Sequence, residues 1–372
     1  MHSAFFVEVA RFSGGPQSRL LRLARGWADR GYSTAVVALR GDQRPGDRER
    51  RYLPMPVHVL TPHGRAVLKS HRLDVAWAVR RWVRRHGPSL VFAMESLADY
   101  HVKLGLLGMA TPLVTLLGID RWHWERKRYR VLLMRLLAAR GAALVGNSQR
   151  TLAGYERVLG QQCLASIPRL VLHNPADPEQ FRPRFDRDHP DALVIGALGR
   201  LCDQKGIDIL LAAFAKLPAA IEGKTTRLKL KGDGPLRGDL ERLALELGVR
   251  DRVEFVPFSP DVEPFLHSLD CLVVPSRWAG LENVALEGML TGTLTVFSAE
   301  TGLQELPWDA GTSLLALDPD GMAAQLHDTL RLSPAERGAR AQAQRAFVVA
   351  HLSLPAVTDR LESFLRAQRL LS

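Results

Sequence analysis

The feature that most constrains this chain is a rhythm. Short runs of β-branched and large apolar residues alternate with longer stretches of helical period, and the alternation occurs twice. In the first half the apolar runs are FFVEVA (5–10), STAVVAL (33–39), VHVL (57–60), SLVFAM (89–94), PLVTLL (112–117), AALVGNS (142–148) and RLVLHNP (169–175). Unbroken apolar strands separated by helices imply a parallel sheet covered on both faces. Residues 174–191, rich in proline and charge, break the pattern and read as an interdomain linker. It restarts with ALVIGALGR (192–200), RLKLKGDG (227–234), RVEFVPF (252–258), CLVVPS (271–276) and LTVFSAE (294–300), and an amphipathic helix ends the chain. A length of 372 residues is too great for one ordinary core and suits two domains. The predicted class is α/β, with two doubly wound domains that bind ligand in the cleft between their strand carboxyl ends.

Composition narrows the partners. The 50 Lys and Arg exceed the 39 Asp and Glu, for a net charge of +11, which favours nucleotide phosphates, acidic lipid or nucleic acid. No aromatic-and-basic binding motif or helix-turn-helix pattern supports nucleic acid, so it is not an expected partner. Cys163, Cys202 and Cys271 are odd in number and lack metal-like spacing, which argues against a disulfide framework or zinc site and fits a reducing compartment. The N-terminus lacks the basic region and long apolar run of a signal peptide. The longest uncharged run, residues 104–119, is shorter than the ~18–20 residues of a spanning helix and contains Pro112. A cytoplasmic protein is expected, with metal and cofactor both unnecessary.

Four stretches carry candidate chemistry. GRLCDQKG (199–206) follows a buried strand, where the Gly199 turn lets backbone approach a ligand and Arg200 and Lys205 can meet phosphates. A surface turn with two exposed cations is the plainer reading. KGDGPL (231–236), containing Gly232, is a second glycine-rich strand end, a kind common as simple turn chemistry. RFSGGPQSRLL (11–21) sets Gly14 and Gly15 before a helix N-terminus, suited to a phosphate or sugar hydroxyl or to a plain tight turn; it is not the GxGxxG fingerprint of dinucleotide enzymes. In AGLENVALEGMLTG (279–292) a helix should begin near Glu282 or Asn283, which places Asn283 and Glu287 on one face. A carboxylate there can accept two hydrogen bonds from a ribose diol, whereas dipole benefit at a helix start accounts for Glu282 better than for Glu287.

Together these residues resemble a family. GR…KG at 199–206, GDGPLRGDLERLALELGVRDRVEFVPF at 232–258, DCLVVPSRW at 270–278, GLENVALEGMLTG at 280–292 and TGLQE at 301–305 fall in the order and spacing of the nucleotide-sugar domain of retaining GT-B glycosyltransferases of family 4. In the first half, SGG, NSQRT (147–151) and LHNPADPEQFRP (172–183) look similar to the same family. The resemblance implies two Rossmann-like domains facing across a cleft. They would be an acceptor domain over 1–178, a nucleotide-sugar domain over 179–352, and a helix over 353–372 crossing back to the first. It further implies that Arg200 and Lys205 hold the donor diphosphate and stabilise its leaving-group charge. Glu287 would hold the ribose, the backbone at Asn283 and Val284 would lie near the diphosphate, Gly15 would approach the donor, and Pro257 and Phe258 would line the base. The implied reaction is hexosyl transfer from a UDP- or GDP-type sugar to a glycan, lipid-linked or small-molecule acceptor, in cell-envelope polysaccharide, lipopolysaccharide or glycolipid synthesis.

Three departures stand out. The family's first glutamate, eight positions before Glu287, is here Ala279; Glu282 occupies a position often Gly or Pro, where a loop shift would let its carboxylate stand in at the donor site. The histidine usual after the strand matched by PLVTLLGID is absent, Leu117 preceding Gly118, with Asp120 and His123 downstream on the acceptor or sugar side. These departures motivate a second reading, a catalytically silent sugar-nucleotide-binding protein; a GT-B isomerase or phosphorylase is a third. DRWHWERKRYR (120–130) gathers Trp122, Trp124 and a tyrosine with five basic residues, among them Lys127, Arg128 and Arg130. It suits an anionic membrane surface on the inner face of the cytoplasmic membrane, or a solvated basic helix.

Overall fold

A computed structural model of the protein describes residues 1–8, 15–40, 52–61, 73–94, 97–118, 128–185, 189–308 and 314–371. The chain divides into two compact units, Met1–Pro175 with Leu354–Ser372, and Ala176–Ser353.

In the first unit the strands are β1 (His2–Val7), β2 (Ser33–Arg40), β3 (Val57–Thr61), β4 (Leu90–Met94), β5 (Leu113–Leu117), β6 (Ala143–Gly146) and β7 (Arg169–Val171). They form one parallel sheet in the order β3-β2-β1-β4-β5-β6-β7. The helices are α1 (Gly15–Asp29), α2 (Leu73–His86), α3 (Leu97–Gly105), α4 (Arg128–Leu136), α5 (Gln149–Leu159) and α6 (Gln161–Leu164). Alternation along the strands assigns them to faces. Phe5, Phe92, Val114 and Val145 pack on α1 through Leu20, Ala24 and Trp27. Phe6, Ala93 and Leu113 pack on α2 and α3, and Leu117 and Leu144 on α4 and α5. Thr115 breaks the apolar run because its hydroxyl donates to Asp99 on α3 at 2.8 Å; that carboxylate is paired with Lys103 at 2.9 Å, both side chains wholly buried.

The second unit repeats the design. Its strands are β8 (Ala192–Leu198), β9 (Ala220–Ile221), β10 (Lys224–Lys231), β11 (Val253–Val256), β12 (Cys271–Val274), β13 (Leu294–Ser298) and β14 (Leu314–Leu315), ordered β11-β10-β8-β12-β13-β14 with β9 beside β10. Its helices are α7 (Ile207–Lys216), α8 (Arg237–Glu246), α9 (Glu263–His267), α10 (Asn283–Leu290), α11 (Pro319–Arg331) and α12 (Pro334–Leu352). The last helix, α13 (Leu354–Ala367), belongs to the first unit, where Val357, Leu361 and Leu365 complete the core against α1. In both sheets the strand order reverses beside the first strand, at β1/β4 and at β8/β12, the places where open α/β sheets bind ligand beyond the strand carboxyl ends.

Some boundaries differ from those read in the sequence. β1 begins at His2 rather than Phe5, because His2, Ser3 and Ala4 pair with Ser33, Thr34 and Ala35. β10 begins at Lys224 rather than Arg227, drawn out by an antiparallel pairing with β9. Glu222 and Gly223 make that turn with φ of 49° and 77°, the left-handed pair that a two-residue hairpin of this twist requires.

At the carboxyl ends of the first sheet, the fully buried Arg19 of α1 donates to the carbonyls of Leu117 at 2.6 Å and Leu172 at 3.0 Å. His173 follows; it is buried and neither ring nitrogen has a partner among the described residues. Burial, with the charges of Arg360 and Arg19, pushes its pKa down from 6.5 to about 4. Because the folded state binds this proton less readily than the unfolded chain, the imidazole's contribution is complete above pH 6.5 and falls away towards pH 4. The loss expected over that window is up to about 3 kcal/mol. Urea melts of the wild type and of His173→Gln between pH 7 and pH 4.5 should show a smaller acid-induced fall for the variant. Truncating Leu361, fully buried in the same core, to alanine should cost about 2–5 kcal/mol in the same melts at pH 7.

Candidate functional site

In the second unit, the loops after β8 and β12 emerge at the strand-order reversal. The first carries Gly199, Arg200 and a 3-10 turn, Asp203–Lys205; the second carries Pro275 to Glu282 and leads into α10. Glycines fix how these loops approach. Gly206 closes the 3-10 turn with φ of 60°, and a Cβ there would lie 2.1 Å from the Pro275 carbonyl oxygen. Gly232, with φ of 144°, lies so near Gly199 that its Cβ would stand 1.9 Å from the Gly199 oxygen. Only hydrogen fits at either position.

Hydrogen bonds then stitch the two loops. The Arg277 amide donates to the Gln204 carbonyl at 2.8 Å, and the Gln204 side chain donates to the Trp278 carbonyl at 2.9 Å. Arg277 grips both carboxylate oxygens of Asp208 on α7, at 2.8 and 2.5 Å, a bidentate geometry. Hydrogen bonding to Asp208 raises the Arg277 pKa. Burial pulls the Asp208 carboxyl upward, but bonding and charge from Arg277 outweigh it and leave the group below its ordinary range.

Lys205 and Glu282 meet at the centre. The lysine Nζ lies 2.7 Å from each Glu282 carboxylate oxygen, and the Ser276 hydroxyl donates to Oε1 at 2.6 Å. Ser276 is held in turn by the Ser298 hydroxyl, which donates to its carbonyl at 2.6 Å. Glu282 is only 7% exposed, so these partners carry its buried charge. The sequence reading of Glu282 as a helix-start residue is corrected in its reason. It is the N-cap of α10, but its side chain makes no capping bond, because the carboxylate turns to Lys205.

Arg200 is exposed at the end of β8 and has no hydrogen-bond or ion-pair partner among the described residues. The α10 N-terminus brings the Asn283 and Val284 backbone to the same loop, both residues half-buried, and half-buried Glu287 lies one turn further along. Pro257 and the 67%-exposed Phe258 follow β11, at the sheet edge two strands from β8. Ala279 is buried where its backbone bridges Thr301. Gly15 opens α1 in the first unit and is exposed. Gly14, Asp120, Trp122, His123, Trp124 and Lys127 lie outside the described residues, while Arg128 and Arg130 fall in the first turn of α4.

Sequence reasoning named Lys205 and Glu282 separately and missed Ser276, Ser298, Gln204 and the Arg277–Asp208 pair. The PSRW stretch was the available signal, since Ser276 and Arg277 follow a strand end directly. Among the described residues no group of three or more His, Cys, Asp or Glu side chains is placed to hold a metal ion. What the site offers chemically is an outward guanidinium, an internally paired ammonium and a helix N-terminus, an arrangement suited to an anion.

Comparison with known proteins agrees with this architecture. Residues 14–175 match the model of the glycosyl transferase 4-like domain, and residues 192–331 that of the glycosyl transferases group 1. The 2-deoxystreptamine glucosyltransferase of Streptomyces kanamyceticus is 32% identical over 222 residues, 59% of this chain and 54% of that protein. The lipopolysaccharide core biosynthesis glycosyltransferase LpsE of Rhizobium meliloti is 34% identical over 176 residues, 45% and 48% of the two chains. The chain thus spans about half the length of the curated relatives it matches. Among solved structures, Anabaena HepE in complex with UDP and glucose superposes with a TM-score of 0.79 at 19% identity, over 99% of this chain and 100% of that one. The sucrose-phosphate synthase of Thermosynechococcus elongatus gives 0.79 at 18%, over 98% of each. The chain belongs to the glycosyltransferases of the GT-B fold, in the group 1, family 4-like branch.

Proposed function

We propose that this protein is a retaining glycosyltransferase that takes a hexose from a nucleotide-diphosphate sugar of UDP or GDP type, without a metal. The observation that carries the reading is the placement of Arg200, which has no partner among the described residues, and of Lys205 at the strand-order reversal of the second unit, beside the α10 N-terminus. On this reading Arg200 and Lys205 receive the diphosphate and stabilise the charge that grows on it as the glycosidic bond breaks. Lys205 has three donors and Glu282 engages it with two oxygens, so the incoming phosphate shares the lysine with the carboxylate or displaces it. Glu287 accepts from the ribose diol, the backbone at Asn283 and Val284 lies beside the diphosphate, Gly199 and Gly232 let backbone approach, and Pro257 with Phe258 lines the base. Gly14 and Gly15 serve the donor, and Asp120 and His123 the acceptor or sugar side. The leaving diphosphate itself accepts the acceptor's proton.

The acceptor in this reading is a glycan or lipid-linked saccharide of the cell envelope, a class suggested by the relative named for lipopolysaccharide core biosynthesis. The work is placed on the cytoplasmic side of the membrane, with Trp122, Trp124, Lys127, Arg128 and Arg130 as contacts to an anionic surface. No helix among the described residues is long and apolar enough to cross a membrane.

Ala279 favours a second reading, a sugar-nucleotide-binding protein without transfer activity, because a buried alanine cannot supply the expected acid. Transfer or donor hydrolysis by the purified protein excludes it. A thermal-shift screen over nucleoside diphosphates and their sugars identifies the base, since a ligand at 100 times its Kd stabilises by roughly 2.7 kcal/mol. Arg200→Ala and Lys205→Ala should each lower turnover by ~10²-fold or more, as for other lost charge-stabilising donors, and near-native rates in both would refute their roles. Glu282→Gln, which removes the competing charge but retains a hydrogen-bonding oxygen, should tighten nucleoside diphosphate binding by roughly five- to tenfold in titration calorimetry. Weaker binding would show that the carboxylate orients Lys205 for the phosphate rather than competing with it.

A further inference from the structure

One cation of the second unit has no part in the chemistry described so far. Lys231 is the last residue of β10, the strand that lies between β8 and β11. Both neighbours fix its backbone: the Gly199 amide donates to the Lys231 carbonyl at 3.0 Å, and the following amide, that of Gly232, donates to the Val256 carbonyl at 3.0 Å. Leu228 and Leu230 enter the core shared with α7 and α8, so Lys229 and Lys231 project from the opposite face of the sheet. There the Lys231 ammonium donates to the Ser259 hydroxyl at 2.7 Å and stands 5.7 Å from the centre of the Phe265 ring on α9. Ser259 is held in turn, its hydroxyl donating to the Asp261 carbonyl at 2.9 Å.

This charge is compensated unlike the others nearby. Among the described residues two lysines are buried, Lys103 at 0% exposure and Lys231 at 5%. Lys103 has the Asp99 carboxylate at 2.9 Å, whereas Lys231 has no carboxylate partner among the described residues. Even Lys229, half-buried on the same face, reaches Glu254 at 3.7 Å. One hydroxyl and one aromatic ring offset a buried ammonium incompletely, and only one of its three N–H bonds has an acceptor here. A buried donor kept in that state points to an acceptor that a ligand brings.

Position gives the acceptor its chemistry. Ser259 directly follows Pro257 and Phe258, the pair assigned to the base in the donor reading, while Arg200 and Lys205, assigned to the diphosphate, leave the sheet from β8. On that reading the Lys231 ammonium stands at the base end of the nucleotide. We propose that Lys231 selects the nucleobase by donating to a ring carbonyl, O4 of uracil or O6 of guanine, at the place where cytosine and adenine carry an amino group. An ammonium has donors and no acceptor, so it gains from the oxo group and is left unpaired against the amino group. This selection presupposes the donor reading of the site.

Titration calorimetry of the full chain with UDP, GDP, CDP and ADP tests it. UDP should bind about tenfold or more tighter than CDP, or GDP than ADP by the same factor. Lys231→Met keeps the apolar stem over Phe265 but removes the donors, so it should abolish that preference by weakening the oxo nucleotide alone. Its melting temperature should be unchanged or raised, because an incompletely compensated buried charge is replaced by an apolar side chain. Ser259→Ala removes the ammonium's present acceptor and should retain the preference. Three results overturn the selection and leave the donor reading standing: a wild type that favours CDP or ADP, a Lys231→Met variant that keeps the preference, and one that weakens all the nucleotides by a common factor. Loss of the preference in Ser259→Ala, or a lowered melting temperature in Lys231→Met, overturns it too, by making Lys231 a structural tie to the loop. Absence of binding to every nucleoside diphosphate overturns the donor reading, and the selection with it.

Discussion

Between Gly206 and the Pro275 carbonyl there is no space for even a methyl group, and the charged site of the second unit depends on that closeness. β8 and β12 are neighbours in space although β10 and β11 intervene in sequence, so two loops distant in the chain leave the sheet side by side. Glycine in the left-handed region bends the 3-10 turn back toward the second loop, which puts Gln204 within reach of Trp278 and Lys205 within reach of Glu282. A side chain at 206 would part the loops, and a separation of even an ångström breaks a hydrogen bond of 2.7 Å. The electrostatics of the site thus rest on a steric condition.

The three cations at this place are held in two ways. Arg277 is locked to Asp208 and Lys205 to Glu282, both as components of the loop framework, whereas Arg200 is exposed and has no partner among the described residues. A buried carboxylate such as Glu282 is tolerable only with charge and hydrogen bonds around it, and Ser276, itself oriented by Ser298, completes that environment. The site is therefore internally neutralised except at its rim. On the proposed reading, an anion would meet the exposed Arg200 guanidinium first and then a lysine already engaged, an order that would give the rim residue the larger part in capture.

Much of the architecture was legible in the chain because apolar runs buried on both faces have few alternatives to a parallel sheet, and the strand positions fell within a few residues of those observed. The failures have local causes. β9 is two residues long, too short for any periodicity, and its only trace is the Glu222–Gly223 turn. Glu282 was seen as an acid at a helix start because its partners Lys205 and Ser276 are joined to it by the sheet rather than by spacing. His173 carried no visible signal, since its proton affinity is depressed first by burial, which the fold creates, and then by Arg360 and Arg19, on helices near opposite ends of the sequence. Pairings that the fold creates between distant segments are the part a linear reading does not reach.

The return of α13 to the first unit has a consequence for how the chain acquires its structure. Val357, Leu361 and Leu365 lie on the α1 face of the first sheet, yet they follow the whole second unit in sequence. During synthesis, which runs from the N-terminus, the second unit is thus complete before the first can close its core. Until then Trp27 and its neighbours lack part of their cover, so the nascent first unit presents an apolar groove to chaperones or to other chains. Its final cooperative closure is a long-range event, of the kind that slows folding.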